Sequence, residues 1–191
     1  MNLATFTALL DACVLYPAPI RDLLVHLAKT GLYRAKWTDK IHDEWIRNLL
    51  TDRPDLTKEQ LNRTRVLMDK AVLNGLVHNY EDLIQAMALP DPDDRHVLAA
   101  AIRCRADVIV TYNLKDFPEN ILNKYDIQAQ HPDEFISHLI DLAPGTVCFS
   151  VKNMRETLKN PPYNISQMFS TLEELGLVQT VSTLRDYAEL L

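Results

Sequence analysis

A short apolar run near the N-terminus, residues 8–15, contains a single acidic residue, Asp11, and the chain turns directly afterwards at Tyr16 and Pro17. We predict that a first strand in this run delivers Asp11 to the carboxyl edge of a parallel sheet, the edge where open α/β sheets place ligands and metals. An unpaired carboxylate in an apolar run is costly to desolvate. Asp11 therefore needs a partner, and a bound metal would supply one.

Short strands alternate with amphipathic helices along most of the chain. The segment Asp107–Thr111 is apolar between its ends, as expected of a strand buried on both faces. Apolar positions at helical spacing indicate the intervening helices, including a small one at 81–87. The alternation predicts an α/β fold, a parallel sheet with right-handed βαβ connections flanked by helices. Other strands are expected at 32–37, 76–78 and 127–130.

A domain boundary is indicated by the sequence Ala-Pro-Gly at 143–145. Beyond it, helices are predicted at 147–159, 165–175 and 181–191, separated by Pro161-Pro162 and Gly176. The expected organisation is an α/β domain at 1–143 and a small C-terminal helical extension at 144–191.

Composition limits the possible partners and the compartment. The net charge of −6 provides no general attraction for a polyanion, so a nucleic-acid role would need local basic patches or a metal. The three cysteines form no Cys-x-x-Cys pair, and we expect reduced thiols. Asp11 interrupts the apolar core that a secretory signal needs, and no apolar run approaches the ~20 residues that span a bilayer. These features favour a cytoplasmic protein with no membrane insertion.

Four carboxylates are candidates for one site: Asp11, Glu44, Asp94 and Asp116. Strand ends, the loops after them and helix N-termini meet at one edge of a parallel sheet, so three of the four should converge there, whereas Glu44 must reach in from a helix face. Grouped carboxylates repel one another unless hard cations lie between them, which indicates one or two Mg²⁺ or Mn²⁺ ions. For each acid alone, a cap, a turn or a solvated helix surface is the alternative.

The residues at 10–15, 43–45, 91–101 and 110–118 resemble the motifs of the PIN-domain nucleases, and are most similar to those of the VapC-type toxins of toxin–antitoxin pairs. The resemblance implies a PIN-like fold and an endoribonuclease that depends on Mg²⁺ or Mn²⁺. It implies that the four carboxylates are both the catalytic residues and the metal ligands. It also implies an RNA substrate, a small antitoxin protein as partner and a homodimer.

Within the third motif the resemblance favours Asp94 over Asp93 as the metal ligand, because Ala99 and Ala101 follow at the spacing of the family pattern. The helix N-cap is expected to be Asp93 or Asp91, and with Asp94 as the ligand Asp93 would take that role. Three residues beside the ligands are candidates for supporting them: Asp91, Thr111 and Asn113. For the last two, ordinary turn chemistry is an equal alternative.

Other features keep alternatives open. The basic residues Arg34, Lys36, Lys40 and Arg47 could contact phosphates or form a solvated face. Trp37 and Trp45 are predicted to be core residues, and the histidines, which show no His-x-x-x-His spacing, surface or core residues. Three other functions remain: a phosphoreceiver-like, Mg²⁺-binding signalling module, a non-toxin PIN nuclease in RNA processing, and a PIN fold used as a scaffold. The C-terminal helices could serve partner binding, dimerisation or substrate guidance.

Overall fold

A four-stranded parallel sheet forms the centre of the structure, a computed structural model that describes residues 6–158 and 163–191. The strands lie in the order β2-β1-β3-β4, and each neighbouring pair is parallel. This confirms the predicted fold class. The strands are β1 (Thr7–Leu10), β2 (Arg34–Lys36), β3 (Val108–Val110) and β4 (Gln128–Gln130).

Helices cover the sheet and form the C-terminal region. In chain order they are α1 (Ala12–Leu15), α2 (Ala18–Lys29), α3 (Asp39–Asp52), α4 (Lys58–Ala71), α5 (Arg95–Cys104), α6 (Glu119–Leu122), α7 (Pro132–Leu142), α8 (Pro144–Thr157), α9 (Ile165–Glu174) and α10 (Val178–Arg185). Short 3-10 helices lie at Glu81–Ala86, Pro92–Asp94, Leu114–Asp116, Asn123–Tyr125 and Ala188–Leu190. Within the described ranges, no helix is long and apolar enough to cross a membrane.

The two central strands are entirely buried, as their apolar sequences predict. Their register pairs Leu10 with Val110, so the residues that follow each strand, Asp11 and Thr111, emerge side by side at the carboxyl edge. A backbone hydrogen bond of 3.1 Å from Asp11 N to Val110 O continues the pairing by one residue. The sheet therefore holds the first predicted site residue against the end of its neighbouring strand.

Four elements differ from the sequence prediction. No helix is predicted between Asp11 and the turn at Tyr16 and Pro17, yet Asp11 caps a short helix there, α1. The strand expected at 76–78 is a single parallel bridge between Trp37 and Leu76, and the helix at 81–87 is a 3-10 helix. The last helix begins at Val178, three residues before its predicted start, and ends at Arg185. The predicted separator Pro161-Pro162 and the expected helix end at Lys159 lie outside the described residues.

Both tryptophans are fully buried, which confirms their prediction as core residues. The indole of Trp45 donates to His42 Nδ1 at 3.0 Å, and the indole of Trp37 donates to Asp69 Oδ1 at 2.8 Å. Each ring thus buries its apolar area without leaving its N–H unpaired. These contacts connect β2, α3 and α4 on one side of the sheet.

The extension is connected to the α/β domain by a carboxylate that caps a neighbouring helix. Leu177, which precedes α10, has no side chain able to cap it. Asp133, in the first turn of α7, instead accepts hydrogen bonds from Gln179 N at 2.9 Å and Thr180 N at 2.7 Å. A negative charge at a helix N-terminus is stabilising. The boundary between residues 143 and 144 stays a prediction, and α7 packs against helices on the far side of it.

We predict that Asp133→Ala lowers the free energy of unfolding by about 1–2 kcal/mol, because two backbone N–H groups of α10 lose their acceptor. Chemical denaturation measures this change. Asp141→Ala, at an exposed position on the same helix, is the matched control and should change stability by less than about 0.5 kcal/mol. Equal effects of the two substitutions would contradict the proposed capping.

Candidate active site

Asp11 lies at the carboxyl end of β1 and is only 5% exposed. Its Oδ1 accepts from Ala12 N at 2.6 Å, and its Oδ2 accepts from Thr111 Oγ1 at 2.8 Å and from Cys13 Sγ at 3.0 Å. The expectation that Asp11 needs a partner is confirmed, and the chain itself supplies three donors. These bonds hold the carboxylate in one orientation at the sheet edge. Binding of a metal by Asp11 stays a prediction.

Thr111 is fully buried, and its hydroxyl lies at the centre of this arrangement. The hydroxyl donates to Asp11 and accepts from Asn113 N at 3.0 Å, so it orients the carboxylate and stabilises the turn after β3 at once. The two interpretations offered for Thr111 are therefore compatible. For Asn113 the described contact comes from its backbone, and a role for its side chain stays a prediction.

Asp94 occupies the N-cap position of α5, yet its side chain makes no capping hydrogen bond to the described residues. Capping in this segment belongs to Asp91, which accepts from Asp93 N at 2.8 Å and starts the 3-10 turn ahead of α5. Of the two N-cap candidates, Asp91 is therefore the one that caps, and Asp93 is not. Because Asp91 takes this role, the carboxylate of Asp94 is left for other contacts.

The candidate carboxylates lie close enough to affect one another electrostatically. Partial burial, followed in order of importance by the negative charges of Asp11, Asp91, Asp116 and Glu44, raises the pKa of Asp94 to about 7. Like charges disfavour the ionised form of their neighbour. The structure thus places the other three predicted acids and the supporting Asp91 around Asp94.

Glu44 reaches this cluster from α3, and a histidine that the sequence did not single out holds it there. His96 Nε2 lies 2.9 Å from Glu44 Oε1, and the imidazole is 1% exposed. Its other nitrogen, Nδ1, is buried and has no partner among the described residues. His96 follows Asp94 by two positions, but nothing in that spacing indicates a contact with α3. The packing of α5 was needed to find it.

The basic residues near β2 do not form one patch at this edge. Arg34 pairs with Thr7 at the amino end of β1, opposite to the end that carries Asp11. Its Nε donates to Thr7 Oγ1 at 3.1 Å, and Lys36 Nζ donates to Asn74 O. Two exposed cations, Lys40 and Arg47, lie on α3, the helix of Glu44. For Arg34, a place on a solvated charged face is therefore a better interpretation than a contact with phosphate.

The donor chemistry of the cluster fits a hard divalent cation. As the side chains stand, no three His, Cys, Asp or Glu residues in 6–158 and 163–191 form a group already arranged to hold a metal ion. The acids around Asp94 are nevertheless all oxygen donors, the class that Mg²⁺ and Mn²⁺ prefer. A cation beside Asp94 would also relieve the repulsion that raises its pKa.

Comparison with known families identifies the fold. A family model described as PIN domain matches residues 7–115, more than half of the chain. The chain belongs to the PIN domain family. The match includes three of the four carboxylates of this PIN domain and ends one residue before Asp116. A second model, described as the VapC50 C-terminal domain, matches residues 132–186.

A relative from Mycobacterium tuberculosis (strain ATCC 25618 / H37Rv) is named "Putative ribonuclease VapC50". The two are 43% identical over 105 residues, which are 53% of this chain and 62% of the relative. The alignment therefore covers less than two thirds of the relative's own length. No significant match to a solved structure was found. The predicted resemblance to PIN domains of the VapC type is confirmed.

We predict that Thr111→Val, which keeps the shape of the side chain but removes the hydroxyl, lowers the free energy of unfolding by about 1–3 kcal/mol. The Asp11 carboxylate would lose a donor and Asn113 N an acceptor. Denaturant unfolding gives the value. Thr51→Val is the control, because its hydroxyl is hydrogen-bonded within α3 but exposed. A loss no larger than that of the control would show that the Thr111 hydroxyl does not stabilise this edge.

Proposed function

We propose that this PIN domain is a metal-dependent endoribonuclease that hydrolyses RNA phosphodiester bonds and leaves 5′-phosphate ends. Asp11, Glu44, Asp94 and Asp116 would hold one or two Mg²⁺ or Mn²⁺ ions and would form the catalytic site. The observation that carries the proposal is the Asp94 carboxylate, which lacks a capping bond and is surrounded by acids. The name of the mycobacterial relative supports the same activity.

The four acids would contribute differently to the site. Asp11 is the most rigid, because three donors fix its carboxylate. Glu44 is oriented by the buried imidazole of His96. The side chain of Asp94 makes no capping hydrogen bond to the described residues, which leaves its carboxylate free to bind a ligand. Asp116 is carried by the 3-10 helix after β3, whose backbone bond from Asp116 N to Asn113 O measures 3.0 Å.

The proposed chemistry combines these residues with a metal and an anionic substrate. A bound divalent cation would activate a water molecule and stabilise the charge that develops at phosphorus. Asp91, Thr111 and Asn113 would support the ligands from beside the site. The exposed Lys40 and Arg47 on α3 could contact the RNA backbone next to Glu44. A metal between acids and phosphate also reconciles the net charge of −6 with an RNA substrate.

We predict that Asp94→Asn reduces RNA cleavage in Mn²⁺ or Mg²⁺ by about a hundredfold or more, because loss of a residue that only supports a metal ligand already costs 10–100-fold. Without metal, the same change should stabilise the fold by up to about 1 kcal/mol, since it removes like-charge repulsion that solvent partly screens. Cleavage of a labelled RNA and thermal unfolding measure the two effects.

Asp93→Asn is the matched control, because it removes the same charge from the exposed neighbouring residue, which does not contribute to the raised pKa of Asp94. It should keep both cleavage and stability near those of the wild type. If the wild type cleaves RNA no faster than Asp94→Asn, the enzymatic proposal fails.

We further propose that the protein is the toxin of a toxin–antitoxin pair, that it acts in the cytoplasm, and that a small antitoxin protein is its partner. The support is the similarity of both its regions to VapC50. The homodimer stays a prediction. A non-toxin PIN nuclease in RNA processing and a PIN fold used as a scaffold are the remaining alternatives, whereas family membership removes the basis of the phosphoreceiver interpretation.

Expression of the wild-type chain in bacteria should arrest growth, and Asp94→Asn should not, because arrest would require cleavage. Viable counts after induction measure the difference. Co-expression of a small protein encoded beside this one should restore growth. Active cleavage by the purified protein without any effect on growth would favour the RNA-processing alternative.

A further inference from the structure

Tyr112 connects the C-terminal helices to the acidic edge, by which we mean the carboxyl edge of the sheet that carries Asp11 and Asp116. It lies between Thr111 and Asn113, and its half-buried side chain points away from them toward the extension. Its hydroxyl donates to Leu175 O, the carbonyl at the end of α9, at 2.7 Å. Burial, followed by the neighbouring Cys13 and Asp133, raises the pKa of Tyr112 to about 12. The hydroxyl therefore remains a hydrogen-bond donor at neutral pH.

The ring of Tyr112 makes a second contact with the same region. It packs edge-to-face against His131, the residue before α7, with centroids 4.9 Å apart and an angle of 81°. Gly176, which has a φ of +87°, passes over both rings, since a β-carbon there would lie 3.8 Å from each. The turn between α9 and α10 therefore packs directly against the segment that follows β3.

The backbone of Tyr112 makes a third contact, toward the site. Its N–H donates to Cys13 Sγ at 3.3 Å, and Cys13 Sγ donates to Asp11 Oδ2 at 3.0 Å. Tyr112 is thus hydrogen-bonded through its hydroxyl to Leu175 and through its backbone to Cys13, which in turn bonds to the carboxylate of Asp11. The far side of the turn is held as well, because Asp133 caps α10 two residues beyond Leu177.

We propose that the C-terminal extension braces the acidic edge through Tyr112, and that Tyr112 is a positioning residue for Asp11 and for the segment that carries Asp116. The effect on metal binding rests on the proposed function, whereas the brace itself does not. In a parallel sheet this edge is made of strand ends and short turns, which few neighbouring elements restrain. Packing of the α9–α10 turn onto Tyr112 restrains it.

The test compares full-length Tyr112→Phe with the wild type and with Tyr163→Phe. Tyr112→Phe keeps the ring and removes only the bond to Leu175. Tyr163→Phe is the control, because it removes a hydroxyl that lies 2.8 Å from Thr171 Oγ1 inside the extension. Hydrogen–deuterium exchange of residues 111–116 and the affinity for Mn²⁺ by calorimetry are measured on each.

In Tyr112→Phe we expect exchange at 111–116 to become roughly three- to tenfold faster, as the loss of one partly buried hydrogen bond allows. The Kd for Mn²⁺ should rise by about threefold or more in the same variant, and Tyr163→Phe should change neither quantity. If the extension only stabilised the fold, a Tyr112→Phe variant with an unchanged melting temperature would also have an unchanged Mn²⁺ affinity.

Unchanged exchange at 111–116 in Tyr112→Phe, or an equal increase in both variants, would overturn the brace. If the wild type binds no Mn²⁺, the proposed metal site fails, and the exchange measurement still decides the brace by itself. The two failures are therefore distinguishable.

Discussion

The parallel pairing of β1 with β3 is the interaction on which the rest of the site depends. Its register makes both strands end at the same level, so Asp11 and Thr111 are adjacent in space although they are 100 residues apart in the chain. The short bond between them then holds the first carboxylate of the candidate site on the most buried part of the fold. Other elements add their acids around this pair.

The fold compensates the negative charges at the carboxyl edge of the sheet to different degrees. The charge of Asp11 is stabilised by three donors, and Glu44 is stabilised by His96, whereas Asp94 is surrounded by like charges and its pKa is raised. A protein that needed these acids only for stability would gain nothing from placing a carboxylate among like charges. The arrangement instead suits a cation that arrives from solvent, and it explains why Asp94 is the informative residue of the cluster.

The parts of the prediction that held are those governed by local patterns. Thr38 and Thr57, a residue type that favours N-cap positions, cap helices α3 and α4. The continuous apolar run of β3 predicted a buried parallel strand. The argument from Asp11 correctly required a partner but did not find Thr111, because a sequence shows that a carboxylate is in an apolar run and does not show which donors the folded chain brings to it. His96 and Tyr112 were missed for the same reason, since their partners are distant in the chain.

By itself, the sequence determined the α/β class, the position of the helices and the residue types that could form an acidic site, because hydrophobic periodicity, caps and charge are properties of neighbouring residues. Only the tertiary structure decided which of these acids are satisfied, which one remains under repulsion, and how the C-terminal helices contact the edge. Hydrogen bonds and Coulomb interactions depend on distances in space, and strand register and helix packing set those distances across long separations in the chain.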